Sequence, residues 1–352
     1  MKIPAWCCCV LFLTAVGPGI FAADKIVLVA GGDDDRTGIP GTQAKLREPF
    51  GVDFDAAGNL FIVEMVAGNR LLKVDQAGML THVAGQLAPG DAGDGGPALA
   101  AQFNGPHNLA VLANGDVLLG DTWNGRVRRV SLKTGLVTSV PGFNVPPPAA
   151  RTGGPYCIAV DFSGRQLYIA DLRRVHQIDL STGTAQVVAG NGQKGIPSDG
   201  AIAAAAPLAD PRAAVVDRAG NLYILERNGH ALRVVDRAGR IRTVVNASGQ
   251  KGADGDDGDA LAARLNGPKH LCVDLEDNVI IADAENHLIR KYLPKTGKIV
   301  RVAGTGKKGA AGLGGAPEQA ELNRPHGVTV ARDGTLFITD SYNNRILKIV
   351  RQ

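Results

Sequence analysis

The chain has few cysteines, few aromatic residues and little excess charge of one sign. Three of its five cysteines lie at positions 7–9, which leaves Cys157 and Cys272 for the rest of the 352 residues. These two fall at different positions of non-adjacent repeats, so we expect no disulfide and interpret both as small buried apolar side chains. A chain without a disulfide framework has to be stabilised by its hydrophobic core.

Charge and motifs exclude several function classes. The 38 Lys and Arg residues against 34 Asp and Glu residues give a formal charge of only +4, so we expect no nucleic-acid partner and no anionic membrane partner. The sequence contains no GxSxG, HExxH, P-loop or CxxC motif. Serine hydrolase, zincin and nucleotide-dependent chemistry are therefore disfavoured.

The first residues have the pattern of a targeting segment. Lys2 precedes the apolar run 5–16, the sequence Gly-Pro-Gly follows at 17–19, and Ala22 and Ala23 offer a small-residue cleavage site. We interpret residues 1–23 as a secretory signal peptide and 24–352 as the mature domain, secreted or periplasmic and without stable membrane insertion after cleavage. The alternative is a retained anchor, although the Gly-Pro-Gly break shortens the helix below a membrane span.

Glycine, by contrast, is abundant, with 46 residues, and it marks an internal repeat. Anchor prolines recur with spacings of 57, 49, 56, 57 and 57 residues, at Pro49, Pro106, Pro155, Pro211, Pro268 and Pro325. Self-similarity at one period indicates a repeat architecture.

Each unit contains four short strands joined by glycine-bearing turns. The first two strands are apolar at nearly every position, as in LFIV (60–63), whereas the third alternates with Lys and Arg, as in RILKIV (345–350). We therefore predict an all-β, six-bladed propeller with burial falling outward and one wet face on each third strand.

The last unit ends after its third strand. The segment KIVLVAG (25–31) is nearly identical to KIVRVAG (298–304), which ends the fifth unit. We expect the N-terminal strand to supply the missing fourth strand of the last blade, which would remove the exposed edge of an open array.

These units resemble the NHL-repeat family of six-bladed propellers, over residues 25–351. The matching stretches are EPFGVDFDAAGNLFIVEMVAGNRLLKV, GPHNLAVLANGDVLLGDTWNGRVRRV and PHGVTVARDGTLFITDSYNNRILKI. The linker GDGGPALAAQFNGP resembles that of exported bacterial members. The resemblance implies the fold, but the family includes binding scaffolds, sensor ectodomains, RNA-binding proteins and a few enzymes.

One acidic residue ends each second strand, on the face that also carries the long linkers. The set is Glu64, Asp121, Asp171, Glu226, Asp283 and Asp340. Such carboxylates commonly bind neighbouring backbone amides, and this structural interpretation is the main alternative to a ligand-binding one. Arg70, Arg126 and Arg345 follow three of them and could bridge between units.

Three histidines follow anchor prolines and should line the central opening: His107, His270 and His326. Imidazole and carboxylate ligands suit a divalent metal, so zinc or calcium is a candidate cofactor. The resemblance also implies two enzyme alternatives. A zinc-dependent amidating lyase of the family has ligand histidines at Pro-His positions, which Pro106–His107 and Pro325–His326 match, but Lys269 separates His270 from its proline. Gluconolactonase-like propellers hold one divalent ion on the axis, and in this chain Glu64, Asn108 and Asp283 would take the ligand roles.

Aromatic residues in the same rim turns complete the candidate site, since such residues are good binding anchors. We predict ligand-binding residues at His107, Asn108, Asp121, Trp123, Tyr156, His270, Asp283, His326, Asp340 and Tyr342, with Phe50 beside them. The favoured hypothesis is an exported, non-enzymatic propeller that binds a protein, peptide or glycan through its linker-bearing face. The alternative is a metal-dependent lyase or lactonase at the channel mouth.

Overall fold

The computed structural model describes residues 24–145 and 153–351 and confirms a six-bladed β-propeller. Each blade is an antiparallel sheet whose first strand lies at the centre of the ring. The predicted signal peptide, residues 1–23, lies outside the described residues. Within those residues, no helix is long and apolar enough to cross a membrane.

The first three blades contain strands β2 to β14. Blade one has β3 (Pro49–Phe54), β4 (Leu60–Glu64), β5 (Arg70–Val74) and β6 (Met79–Gly85), and the short β2 (Ile39–Pro40) pairs outside β6. Blade two has β7 (Leu109–Val111), β8 (Val117–Asp121), β9 (Arg126–Val130) and β10 (Val137–Asn144). Blade three has β11 (Pro155–Val160), β12 (Gln166–Asp171), β13 (Val175–Asp179) and β14 (Ala185–Ala189).

The last three blades contain the remaining strands. Blade four has β15 (Pro211–Val216), β16 (Leu222–Glu226), β17 (Ala231–Val235) and β18 (Ile241–Val245). Blade five has β19 (His270–Val273), β20 (Val279–Asp283), β21 (Leu288–Leu293) and β22 (Lys298–Ala303). Blade six has β23 (Gly327–Val330), β24 (Leu336–Asp340), β25 (Arg345–Val350) and β1 (Lys25–Ala30).

The N-terminal strand closes the ring, as predicted. Strand β1 pairs antiparallel with β25, and Ile26 lies opposite Ile349 in that register. Ile26 and Ala30 are fully buried in the cores that the sixth blade forms with its two neighbours. Closure therefore contributes core packing as well as strand pairing.

Hydrophobic cores lie between neighbouring blades. The second strands contribute side chains to every one of these cores because they are buried on both faces, as in LFIVE of β4 and VIIAD of β20. The six first strands contact one another in a closed circle, β3 to β7, β11, β15, β19, β23 and back to β3. They surround a central channel with a cavity of about 160 Å³.

The expectation that each third strand has a solvent-exposed face is wrong in three blades. Arg128 and Arg290 are fully buried and Arg233 is 2% exposed. The incoming linker folds over Arg128 and Arg290, and its carbonyl oxygens accept their N–H groups: Arg290 donates to Arg264 O at 2.6 Å and to Asp254 O at 2.9 Å. Arg233 donates instead to the Glu226 carboxylate at 2.8 Å and to the Thr243 hydroxyl. A charged residue on an alternating strand is thus buried where backbone oxygens and carboxylates surround it.

Six short 3₁₀ helices lie in the linkers and rim turns of the described residues. They span Ala98–Ala100, Thr122–Asn124, Ala203–Ala205, Ala284–Asn286, Pro317–Gln319 and Ser341–Asn343. Three of them follow directly after the acidic residue that ends a second strand, and place Trp123, Glu285 and Tyr342 on the linker-bearing face.

Candidate functional site

The six acidic residues that end the second strands form a ring that we call the acidic ring. Its members are Glu64, Asp121, Asp171, Glu226, Asp283 and Asp340, each at most 5% exposed. Five of them accept a backbone N–H from the residue 17 positions earlier in the chain, at the end of the incoming linker. The bond lengths run from 2.6 Å in Glu64 to 2.8 Å in Asp121 and Asp283.

Arginines from the third strands neutralise the same carboxylates. Arg345 donates to Asp340 at 2.7 Å and Arg233 donates to Glu226 at 2.8 Å, both within one blade. The predicted bridge between units is therefore not formed by Arg345, which joins its own strand to the linker. Burial raises the pKa of Asp283 to about 7, although the Asn266 N–H, the Asn286 amide and the Arg290 charge favour its ionised form.

Blade three departs from this pattern, as its shorter linker suggests. Asp171 accepts the N–H of Arg173 at 2.6 Å and a ring nitrogen of His176 lies 2.8 Å from its other oxygen. The acidic ring therefore holds linkers and strands together, and the predicted site residues Asp121, Asp283 and Asp340 lie beneath the surface of the linker-bearing face.

A second ring occupies the channel mouth itself. It consists of the six residues that directly follow the anchor prolines, one from each blade: Phe50, His107, Tyr156, Arg212, Lys269 and His326. We call it the mouth ring. Its backbone positions are equivalent, yet its side chains are chemically unlike one another, which separates it from the acidic ring.

Four of the six members of the mouth ring are aromatic residues or histidines. Phe50 stacks on His326 with ring centroids 4.2 Å apart and meets His107 edge-on at 5.4 Å. His107 meets Tyr156 at 4.8 Å. A Cβ on Gly327 would lie 2.3 Å from the carbonyl oxygen of Phe50, so glycine there lets blades six and one approach closely enough for this stack.

Both histidines of the mouth ring are held as neutral bases. Nδ1–H of His107 donates to the Gly105 carbonyl at 2.8 Å, and Nδ1–H of His326 donates to the Arg324 carbonyl at 2.7 Å. Burial, followed by neighbouring cations, lowers the pKa of each well below its ordinary value.

The other two members of the mouth ring are cations. The Arg212 guanidinium lies over the Tyr156 ring, 4.1 Å from its centroid, and Arg212 is 7% exposed. The Lys269 ammonium lies 3.3 Å from Glu285, and burial with the nearby Arg212 charge lowers the Lys269 pKa to about 8. The mouth is therefore electropositive.

His270 and Asn108 lie one layer deeper than the mouth ring, because each is two residues after its anchor proline. Their side-chain nitrogens, Nε2 and Nδ2, lie 2.9 Å apart at the channel cavity. Asn108 Oδ1 accepts the Ile158 N–H at 3.0 Å, and the Val328 N–H lies 3.3 Å from Nδ1 of His270. Burial lowers the pKa of His270 to about 4.

Trp123 and Tyr342 lie on the rim beside the two histidines of the mouth. Trp123 is 6.3 Å from His107 between ring centroids, and Tyr342 is 5.6 Å from His326. Tyr342 is 46% exposed, and the Arg324 guanidinium lies over its ring.

The geometry does not assemble a metal site from the three histidines. The Phe50 ring separates His107 from His326, and His270 is engaged below them. Among residues 24–145 and 153–351, no three His, Cys, Asp or Glu side chains converge to hold an ion. The residues present therefore do not fit a three-histidine centre.

Sequence reasoning missed Arg212 and Lys269. The site was predicted from residue types that bind metals or anchor ligands through aromatic rings, and Arg and Lys are neither. The available signal was positional, since both residues directly follow an anchor proline as His107 and His326 do.

Family models match three parts of the chain. A model described as NHL repeat matches residues 103–130 and 322–349, and one described as Teneurin NHL domain matches 151–254. NHL repeat-containing protein 2 of Bos taurus is 24% identical over 340 residues, which cover 86% of this chain and 46% of that protein. The chain thus spans about half the length of this relative.

Solved structures share the fold. An auxiliary nutrient binding protein from Bacteroides thetaiotaomicron superposes with a TM-score of 0.68 at 16% identity, over 94% of this chain and 77% of the other. Virginiamycin B lyase from Staphylococcus aureus gives a TM-score of 0.55 at 14% identity, over 93% and 99% of the two chains. At such identities the likeness shows the architecture alone.

Proposed function

The chain belongs to the NHL-repeat family, and we propose that it is an exported binding propeller that recognises a protein, peptide or glycan at its channel mouth. The mouth ring is the observation that carries this proposal. Six equivalent positions hold six side chains of mixed chemistry on one face, which suits recognition better than fold maintenance. A nutrient-binding protein among the structural neighbours is consistent with such a role.

Export is part of the same proposal. Its support is the charged, apolar and small-residue pattern of positions 1–23. Expression of the full chain in a bacterial host, followed by N-terminal sequencing of the extracytoplasmic protein, should give a mature start near Asp24. Retention of Met1 in a membrane fraction would instead support the anchor alternative.

Binding is tested on peptide and glycan arrays with residues 24–352. We expect discrete ligands whose binding is lost in Tyr156→Ala and in His326→Ala, since both residues contact others of the mouth ring. Gln186→Ala is the matched control because Gln186 lies exposed on the outer strand of blade three. Binding that survives both mouth variants would contradict this location.

The alternative, a lyase or lactonase that uses zinc or calcium, is tested separately by elemental analysis. Both mouth histidines are neutral and could donate an Nε2 lone pair to a metal. Under the binding hypothesis we expect no stoichiometric metal. One zinc or calcium ion per chain that is lost in His107→Ala and His326→Ala would overturn the non-enzymatic proposal.

A further inference from the structure

We propose that Arg212 and Lys269 bind a carboxylate group of a peptide ligand at the channel mouth. This inference rests on the proposed function and names the chemistry of the ligand. It assigns a specific role to two cations of the mouth ring.

Arg212 forms no ion pair with any of the residues that the structure describes, 24–145 and 153–351, although the Asp210 charge lies near enough to favour its charged form. Asp210, the acidic residue nearest to it in sequence, accepts hydrogen bonds from Arg227 at 2.7 Å and from Asn228 at 2.7 Å. No Asp or Glu side chain forms an ion pair with Arg212 in the described residues. Every acidic residue of the chain lies in that part, because positions 1–23, 146–152 and 352 contain none.

An unpaired guanidinium at 7% exposure is energetically unusual. Removing a charge from water is costly unless a counter-charge or hydrogen bonds replace the solvent. Stacking on Tyr156 offsets part of this cost, and the N–H donors of the group, for which no acceptor is described, keep access to solvent at the mouth. An incoming anion would supply the missing acceptor.

Lys269 adds a second positive charge beside this one. Its ammonium shares Glu285 with Arg324, at 3.3 Å and 2.6 Å respectively. Two carboxylates therefore lie among four cations. Asp210 pairs with Arg227, and Glu285 pairs with Lys269 and Arg324, while Arg212 pairs with neither, which leaves the mouth with excess positive charge. The neutral histidines opposite add none.

The shape of the mouth favours a carboxylate on a peptide. A planar guanidinium matches a carboxylate with two parallel hydrogen bonds. A sugar ring would need an open aromatic face, but the Phe50 face is covered by His326 and the Tyr156 face by Arg212. A peptide C-terminus or an acidic side chain presents its carboxylate to the guanidinium without needing an open aromatic face.

The decisive probes are N-acetyl-Ala-Ala with a free C-terminus and the same dipeptide with a C-terminal amide, titrated calorimetrically into residues 24–352. We expect the acid to bind at least tenfold more tightly than the amide. Glucuronate is the third probe and should bind at least tenfold more weakly than the acid. Equal binding of acid and amide, or tighter binding of glucuronate, would overturn the inference.

Variants locate the site. Arg212→Gln should weaken binding of the acid at least tenfold, whereas Arg212→Lys should restore part of it. The matched control is Arg218→Gln, because Arg218 also stacks on an aromatic ring, Phe162, but is ion-paired with Asp277. Unchanged binding in Arg212→Gln would overturn the inference, and so would an equal loss in the control.

Lysine protonation gives an independent readout. Since the pKa of Lys269 is about 8, affinity for the acid should fall above pH 8 as this charge is lost, and Lys269→Gln should abolish that decline. If array ligands depend on the mouth ring while neither carboxylate probe binds, the carboxylate inference fails and the binding proposal stands. If no ligand depends on the mouth ring, both fail.

Discussion

The acidic ring and the mouth ring lie on the same face, and both take one residue from each blade, yet they differ in kind. Five members of the acidic ring accept an N–H from the same relative position of the linker. Members of the mouth ring share a backbone position but comprise two aromatic residues, two histidines and two cations.

This contrast indicates how the repeat divides its tasks. Where the chemistry is the same in successive blades, the residue satisfies a demand that those blades share, here the linker amide and the third-strand arginine of every blade but the third. Where the backbone repeats and the chemistry does not, no common structural demand selects the side chain. Such positions are available for recognition.

The largest expected effect concerns the closure on which both rings depend. Deleting residues 24–31 removes β1 and exposes the edge of β25, together with core side chains that contact Ile26. We expect loss of more than about 5 kcal/mol of stability, or loss of cooperative unfolding, from the combined burial and pairing. Urea unfolding followed by circular dichroism measures it.

Adding the peptide of residues 24–31 in trans is the control for this deletion, and it should raise the melting temperature of the truncated chain. An unchanged melting temperature on deletion would mean that the sixth blade does not need its N-terminal strand. Both rings would then be less dependent on closure than the structure indicates.

The second prediction compares one residue from each ring. Glu226→Gln leaves Arg233, which is 2% exposed, without its carboxylate, so we expect a loss of about 3–5 kcal/mol. Arg212→Met removes a buried charge that has no described counter-ion, and should change stability by less than about 1 kcal/mol or increase it. The free energies of unfolding in urea decide between them.

Equal destabilisation by the two substitutions would contradict the division into structural and recognition rings. Arg218→Gln is again a suitable control, since its surface ion pair with Asp277 should contribute little.

Repetition explains how much of this could be predicted from the sequence. The six blades and the placement of residues 25–31 beside the last strand followed from period and register, and both are confirmed. The burial of Arg128, Arg233 and Arg290 did not follow, because strand alternation says nothing about a linker that folds over the strand. His270 lies deeper in the channel than His107 and His326 because it is two residues after its anchor proline, whereas they are one residue after theirs.

The absence of an ion pair between Arg212 and the described carboxylates could not be predicted from the sequence either. Asp210 is only two residues away, and proximity along the chain would pair them. In the folded protein Arg227, on the rim turn after β16, takes that carboxylate instead. The folded geometry, and not distance along the chain, decides which of several arginines pairs with a given carboxylate.

The third prediction uses protonation to distinguish His270, one layer below the mouth ring, from Asp283 of the acidic ring. Burial holds the pKa of His270 near 4 in the folded protein, against 6.5 in the unfolded chain. Between these values the unfolded chain binds more protons, so this residue makes stability fall as pH drops, by roughly 1.4 kcal/mol per pH unit. Asp283, with a pKa raised to about 7, acts with the opposite sign, since its folded state binds more protons between pH 3.8 and 7.

His270→Gln should therefore flatten the decline in stability between pH 6.5 and 4, by roughly the contribution of one proton. Unfolding free energies at pH 6.5 and 5.0, in wild type and variant, measure the difference, from which the carboxylate contribution cancels. A slope that does not change would mean that His270 is protonated in the folded channel.

The smallest expected effect lies at the opposite end of the channel, where Asp53 faces Cys272. Asp53 accepts the Val111 N–H at 2.8 Å and the Phe54 N–H at 2.8 Å, and burial raises its pKa to about 6. Asp53→Asn removes the cost of ionising a buried carboxyl at neutral pH but weakens one of these bonds, so stability should change by less than about 1 kcal/mol. Because Asp53 is remote from the mouth ring, binding of N-acetyl-Ala-Ala should stay within twofold of wild type. A larger change would show that the acid enters the channel from the face opposite the linkers, and the mouth ring would lose its assigned role.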